Sequence, residues 1–288
     1  FHVLSPSANR GVGAAVVAGY QEALRRGARI LVKVDGDGQM DLGYLSALVA
    51  PVLLGRADYA KGNRFKRLGH LAPMPVARLL GNTLLGFGAK VASGYWNIFD
   101  PANGYTALEA SVAERALQEP LAEGFFFETD LLCRLGALRA VVQDVSIPAR
   151  YGDEVSNLRI PAVLLPFARG LLRNAGRRFR RQYLVRDTPA AIFEAFAGAA
   201  LLAFGATYGL LQLGAAAVES APSAVTVMIT AWPVLLGVQL LFKALQHDMR
   251  TVPIKPIHPG LRAAAALAMA LTDRAASATA QCRARSSP

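Results

Sequence analysis

Two aspartates stand one residue apart directly after an apolar segment near the start of the chain. The stretch from residue 32 to 41 reads VKVDGDGQMD, so Asp35, Asp37 and Gln39 occupy alternate positions with glycines between them. Two carboxylates this close repel each other unless a cation lies near them, and hard oxygen ligands suit Mg²⁺ or Mn²⁺. The spacing predicts a divalent-metal site with Asp35, Asp37 and Gln39 as ligands. An ordinary acidic turn is the alternative reading of the same pattern.

The segment before these aspartates decides where they would lie in a fold. Residues 28–35, ARILVKVD, form a nearly continuous apolar run, which is typical of a strand buried on both faces. The carboxylates would then stand at the carboxyl end of that strand. This is the edge at which open α/β sheets bind their ligands.

Strand-like and helix-like segments alternate through the first 158 residues. Helices are predicted at 9–27, 42–55 and 128–138, and strands at 1–5, 28–35, 58–65, 104–109 and 140–151. Such alternation predicts an α/β fold with a mixed, mostly parallel sheet covered by helices. An α/β fold by itself does not indicate a function.

Two long apolar segments follow near the carboxyl end. Residues 190–214 contain one charge, Glu194, and residues 221–242 contain none. Each is long enough to cross a hydrocarbon core of about 30 Å, although a pair of buried helices in a soluble core is the alternative. Seven arginines lie between Arg169 and Arg186, and more basic residues follow the second segment. The positive-inside rule predicts a two-span hairpin with both ends, the first domain and the tail in the cytoplasm.

The charge and apolar content of the chain indicate which kinds of molecule it could bind. The net charge is +11, and 53% of the residues are hydrophobic, which indicates an anionic membrane surface or a phosphorylated ligand as readily as nucleic acid. Residues 160–186 mix Leu, Val and Phe with Arg and predict an interfacial helix. A basic solvated linker and a nucleic-acid-binding run are the alternatives; we expect no nucleic acid. The predicted domains are 1–158, a juxtamembrane segment 159–188, two spans in 189–245 and a partly disordered tail 246–288.

Further motifs make the pattern specific to a family. The stretch NRGVGAAVVAGYQEAL precedes VKVDGDGQMD, and GNRF (62–65), DPANGYTAL (100–108), FFFETDLL (125–132) and IPARYGDEVSNL (147–158) come after it. Their order and spacing resemble the inverting glycosyltransferases of family 2. Among these the chain looks most like the polyprenyl-phosphate glycosyltransferases of the dolichyl-phosphate mannosyltransferase type, which have the nucleotide-sugar-binding GT-A fold.

This resemblance implies an activity and a set of roles. A hexose would pass from a nucleotide sugar, GDP-mannose or UDP-glucose, to a polyprenyl phosphate with the help of Mg²⁺ or Mn²⁺. The implied catalytic residues are Asp37, Arg150, Glu128 and Asp100; the donor-binding residues are Asn9, Gly11, Gly13, Asp35 and Ser156; the acceptor-phosphate residues are Arg64 and Arg78; and the metal ligands are Asp35, Asp37 and Gln39. A two-span anchor can also pack against copies of itself, so a homo-oligomer is possible.

The chain departs from the family pattern at three places. Asn103 stands where the family has Ser, and Asn157 stands where it has a phosphate-pairing Lys. The resemblance also implies a first strand and a base-binding loop ahead of Phe1. Two other hypotheses therefore stay open: a family 2 transferase with another lipid or a polysaccharide as acceptor, and a non-catalytic membrane-associated fragment.

Overall fold

A computed structural model describes residues 2–63, 76–101, 103–147, 160–186, 189–216 and 223–267. In chain order, the elements are α1 (Val12–Arg25), β1 (Ile30–Lys33), a 3₁₀ turn (Leu42–Tyr44), α2 (Leu45–Leu53), β2 (Tyr59–Asn63), α3 (Val76–Ser93), β3 (Thr106–Glu109), α4 (Ala110–Ala116), α5 (Phe127–Leu138), β4 (Val142–Ser146), α6 (Ile160–Phe179), a π-helical segment (Arg180–Arg186), α7 (Ala190–Ala216) and α8 (Ala224–Arg250).

The four described strands form one mixed sheet in the order β1-β3-β2-β4. Strand β2 pairs with β4 in parallel, whereas β3 pairs antiparallel with both β1 and β2. Leu48 and Val52 of α2 pack against Ala60, Tyr105 and Ala107 in the core on one face of the sheet. This arrangement confirms the predicted α/β class with a mixed sheet.

The expectation that most of this sheet is parallel needs correction. Strands β1, β2 and β4 run in one direction, but the reversed strand β3 lies between β1 and β2, so two of the three neighbouring pairs are antiparallel. Apolar periodicity reports how deeply a strand is buried and carries no information about its direction. The apolar pattern of residues 106–109, TALE, therefore did not indicate that β3 runs antiparallel to its neighbours.

The prediction of a strand at residues 1–5 is wrong for residues 2–5, which the structure describes. Residues 2–5 adopt no strand, and the side chain of Val3 is 80% exposed. These residues pair with none of the described strands, so their apolar side chains bury little surface. The helix after them is confirmed, but it begins at Val12 rather than at residue 9.

The chain divides into two compact units. The first comprises Phe1–Ala175 with Pro253–Pro288, and the second comprises Gly176–Val252. The predicted limits of the juxtamembrane segment and of the tail stay predictions. The structure adds that residues 253–267 pack with the sheet-containing unit, and that residues 258–267 are helical.

The second unit contains the two long apolar helices. Within them, Ala190–Gly214 and Ala224–Arg250 are each long and apolar enough to cross a membrane, and only 22% and 6% of their most apolar windows are buried. The core helices of a soluble protein would be mostly buried. Gly198 of α7 meets Gly237 of α8, and Gly209 meets Thr230, so the helices run antiparallel. Small residues at these contacts allow the close approach that is usual for membrane helices.

Candidate active site

The site is built around a buried lysine at the carboxyl end of β1. The side chain of Lys33 is 6% exposed, and its Nζ lies 2.7 Å from Asp35 Oδ1 and 3.2 Å from Glu128 Oε1. Glu128 stands in the first turn of α5, where a carboxylate also favours the helix dipole. The ammonium group therefore joins two acidic residues that the sequence separates by 93 positions.

Gly104 closes this cluster from the loop before β3. A Cβ atom at this position would lie 2.5 Å from Asp35 Oδ2 and closer still to Lys33 Nζ, so any side chain here would collide with the ion pair. Three separate motifs of the sequence thus meet at one place: the aspartates after β1, the Asn103–Gly104 loop and the start of α5.

Asp37 and Gln39 lie in the turn beyond Asp35, and both are exposed. The amide of Gln39 donates to Asp37 Oδ1 at 3.0 Å, and Gly38 supplies the positive φ of 72° that the turn requires. Asp37 and Gln39 therefore belong to an acidic turn, and the same two residues are predicted to bind a metal.

The chemistry of these side chains fits a hard divalent cation. Two carboxylates and a carboxamide oxygen stand within five residues, and Asp35 is 37% exposed on the side-chain scale. Among the described residues no group of three or more His, Cys, Asp or Glu side chains could hold an ion. A cation held by Asp35, Asp37 and Gln39 would thus need further oxygen ligands, as a diphosphate provides.

A second buried lysine lies beside this cluster in β2. Lys61 is fully buried, and its Nζ donates to the carbonyl oxygen of Asn103. Burial lowers the pKa of Lys61 to about 8, while the charges of Asp100 and Glu128 oppose that shift. The predictions from sequence missed Lys33 and Lys61 as site residues. The signal was present, because Lys33 ends the apolar strand β1 and Lys61 follows Tyr59 and Ala60 in β2.

Asn103 and Asp100 shape the loop that carries Gly104. Both are buried; Asn103 Oδ1 accepts from the amide of Tyr105 at 2.9 Å, and Asn103 Nδ2 donates to Asp100 Oδ2 at 3.4 Å. The carboxamide at position 103 thus accepts from the Tyr105 amide and donates to the Asp100 carboxylate. The substitution relative to the family pattern is therefore accommodated by the structure.

Asn9, Gly11 and Gly13 have a packing role at the start of α1. The amide of Gly11 donates to Asn9 Oδ1 at 3.0 Å, and Gly11 has a φ of 97°. A Cβ atom on Gly13 would collide with the carbonyl oxygen of Ala122, so only glycine lets these backbones approach. The amide of Ala14 already donates to the carbonyl of Glu123 at 3.1 Å. The donor-binding role of the three residues stays a prediction.

The remaining predicted site residues lie outside what the structure describes. These are Arg64, Arg150 and Ser156, together with Asn157 and the side chain of Arg78, whose backbone belongs to α3.

Comparison with known proteins finds relatives but no matching protein-family model. The chain is 34% identical over 134 residues to the polyprenol monophosphomannose synthase of Mycolicibacterium smegmatis, covering 46% of this chain and 50% of that protein. It is 32% identical over 113 residues to the UDP-N-acetylglucosamine–dolichyl-phosphate N-acetylglucosaminyltransferase of Methanococcus voltae, covering 39% and 44%. The chain resembles polyprenyl-phosphate sugar transferases. The resemblance stated from its motifs is thereby confirmed.

The similarity is limited in extent. The chain spans about half the length of the curated relatives that it matches. Among solved structures it resembles glucosyl-3-phosphoglycerate synthase from Mycobacterium tuberculosis in complex with Mn²⁺, UDP-glucose and phosphoglyceric acid. That likeness has a TM-score of 0.40 and 21% identity and covers 61% of this chain and 57% of the other.

Proposed function

We propose that the chain is a membrane-anchored, inverting glycosyltransferase of GT-A type that moves a hexose from a nucleotide sugar to a polyprenyl phosphate. One observation carries the proposal: Asp35, Gly104 and Glu128, from three family-like motifs, converge around Lys33. The two sugar transferases that act on polyprenyl or dolichyl phosphate, found as sequence relatives, support it.

The donor would bind at the carboxyl end of β1. Asp35, Asp37 and Gln39 would hold a divalent cation, Mg²⁺ or Mn²⁺, which when bound neutralises the charge that develops on the departing diphosphate. Arg150 and Ser156 are proposed to bind phosphate oxygens, and Asp100, through Asn103, to shape the loop over the sugar. Asn9, Gly11 and Gly13 are proposed to line the donor side.

The acceptor phosphate would be the nucleophile. Its second pKa is roughly 6, so much of it is dianionic near neutral pH and needs no strong general base. Arg64 and Arg78 are proposed to bind it, since guanidinium groups pair bidentately with phosphate. An oxygen of this phosphate forms the new bond to the anomeric carbon while the bond to the nucleoside diphosphate breaks, which inverts the anomeric centre.

The chain leaves its first unit once and returns to it after the two long helices. The chain leaves that unit after Ala175, passes through α7 and α8, and rejoins it at Pro253. A compact unit does not straddle a bilayer, so we propose that both ends of the helix pair open on one side. The flanking basic residues favour the cytoplasmic side. A reporter placed in the 214–221 connection should appear on the opposite side from one placed after residue 267.

The proposed activity is tested by transfer of a labelled sugar. Membranes carrying the protein expressed from its complete reading frame receive labelled GDP-mannose, UDP-glucose or UDP-N-acetylglucosamine with Mn²⁺ or Mg²⁺ and a polyprenyl phosphate. We expect label from one donor in the lipid-phosphate fraction. Label in a polysaccharide fraction instead would favour the other-acceptor hypothesis, and no transfer from any donor would favour the non-catalytic one.

The matched controls compare two exposed carboxylates. Asp37→Asn should reduce transfer at least a hundredfold without changing membrane insertion, because it removes a proposed metal ligand. Glu114→Gln alters an exposed carboxylate on α4 and should leave transfer unchanged. Full activity of Asp37→Asn would remove the metal assignment.

A further inference from the structure

Lys33 stands at a position where the strand pattern would place an apolar residue. It alternates with Leu31 on the buried side of β1, and both side chains are buried. A buried ammonium group is costly unless charged partners surround it. Lys33 has two such partners within 3.2 Å, Asp35 and Glu128.

The contact with Asp35 uses one particular oxygen. Lys33 Nζ binds Oδ1, while Oδ2 faces the place where Gly104 has no side chain, 2.5 Å from an ideal Cβ position. The backbone amide of Asp35 contacts the sulfur of Met40 at 3.2 Å. The carboxylate of Asp35 is therefore oriented, with one oxygen engaged by an internal cation.

We propose that Lys33 is a positioning residue that orients Asp35 and reduces the charge it offers, so that a bound cation meets one oxygen of Asp35 and depends chiefly on Asp37. This inference rests on the proposed function of the same site. The formal charges of Lys33, Asp35 and Glu128 sum to −1, and without Lys33 they would sum to −2. The ammonium group thus repels a divalent cation while it holds the carboxylate in place.

A purely structural Lys33 would only link β1 to α5. Its loss would then lower stability without altering the affinity of the folded protein for a cation. A positioning Lys33 gives a different result: cation affinity rises because a nearby positive charge is gone, whereas transfer slows because Asp35 is no longer oriented.

The experiment measures Mn²⁺ binding to the detergent-solubilised full chain by the loss of the free-Mn²⁺ paramagnetic resonance signal, with UDP and with GDP present. We expect Lys33→Met to tighten Mn²⁺ binding at least fivefold and to slow sugar transfer at least tenfold. Lys33→Arg keeps the charge and should bind Mn²⁺ within about twofold of the wild type. Thermal unfolding of each variant defines the folded fraction.

A second variant serves if Lys33→Met does not fold. Glu128→Gln removes one carboxylate and leaves Lys33 paired with Asp35, so Mn²⁺ binding should weaken at least threefold. Mn²⁺ binding that is lost in Asp37→Asn but unchanged in Lys33→Met and Glu128→Gln would overturn this inference alone. Absence of Mn²⁺ binding by the wild-type chain would overturn the metal assignment and the inference together.

Discussion

Asp58 and His258 are hydrogen-bonded in the core of the sheet-containing unit although 200 positions separate them. Asp58 Oδ1 lies 2.8 Å from His258 Nδ1 and also accepts from the backbone amide of His258 at 2.9 Å. Asp58 Oδ2 accepts from the amide of Val141 at 2.7 Å, just ahead of β4. One fully buried carboxylate therefore ties the start of β2 to β4 and to the segment that comes after the two long helices.

The same segment has a second attachment. Arg262 binds Glu109 Oε1 through Nε at 2.9 Å and through Nη2 at 2.7 Å, and Glu109 is buried at the end of β3. Glu109 and Asp58 are neighbours, since the amide of Glu109 donates to the Asp58 carbonyl at 3.0 Å. The described residues 253–267 after the helix pair are thus attached to this unit through His258 and Arg262.

Asp58→Asn should release this segment. In the wild type, backbone amides donate to both oxygens of the Asp58 carboxylate. The side-chain NH₂ of Asn cannot accept these hydrogen bonds, so we expect a loss of about 3 kcal/mol in the free energy of unfolding. Protease sensitivity between residues 252 and 267 should rise with it. The measurement is thermal unfolding together with limited proteolysis, with Glu114→Gln as the exposed control. An unchanged cleavage pattern would contradict the docking role of Asp58.

Lys61 should make stability depend on pH in the alkaline range. Its pKa is about 8 in the folded protein and about 10.5 when exposed, so between these values the unfolded chain binds the extra proton. Stability therefore rises with pH from about 8 to 10.5 as the buried cost of the charge disappears. The gain is at most about 3–4 kcal/mol, at 1.36 kcal/mol for each pKa unit.

Lys61→Met should remove that rise. Unfolding midpoints are compared between wild type and variant at intervals from pH 7 to 10.5, and the difference between the two curves isolates Lys61 from other titrating groups. A difference that stays constant across this range would show that the charge of Lys61 does not change there.

Gly104→Ala should slow sugar transfer with little loss of fold. The new methyl group would meet Lys33 Nζ and Asp35 Oδ2 at distances that real side chains do not tolerate, so the ion pair must shift. We expect transfer to fall at least tenfold. Gly19→Ala is the matched control, because a Cβ at Gly19 has no neighbour within 4 Å. Equal activity in the two variants would exclude a role for the Gly104 contact.

Gly237→Ala should weaken the packing of the two long helices. Its Cβ would lie 2.7 Å from the carbonyl oxygen of Gly198 and 2.8 Å from the amide of Leu202, both backbone atoms. We expect a destabilisation of about 1–3 kcal/mol. Gly214→Ala, with open space at its Cβ, should be neutral. Thermal unfolding in detergent compares them, and equal midpoints would mean that this contact does not limit helix packing.

Local sequence determined much of what the structure contains. The apolar run of β1 followed by Asp35 and Asp37 was enough to place two carboxylates at a strand end. Length and apolar composition were enough to predict α7 and α8, because an apolar segment of that length with one charge or none has few other environments. The motifs also identified the relatives, since their spacing reflects one site.

Tertiary structure decided which distant residues meet. No local pattern indicates that β3 inserts in reverse between β1 and β2, that Lys33 reaches Glu128, or that His258 returns to Asp58. Periodicity in a sequence reports how far each segment is buried, whereas the partner of a buried charge depends on how the whole chain closes. The sequence therefore determined the carboxylates of this site. Only the tertiary structure decided that the buried ammonium group of Lys33 lies between Asp35 and Glu128.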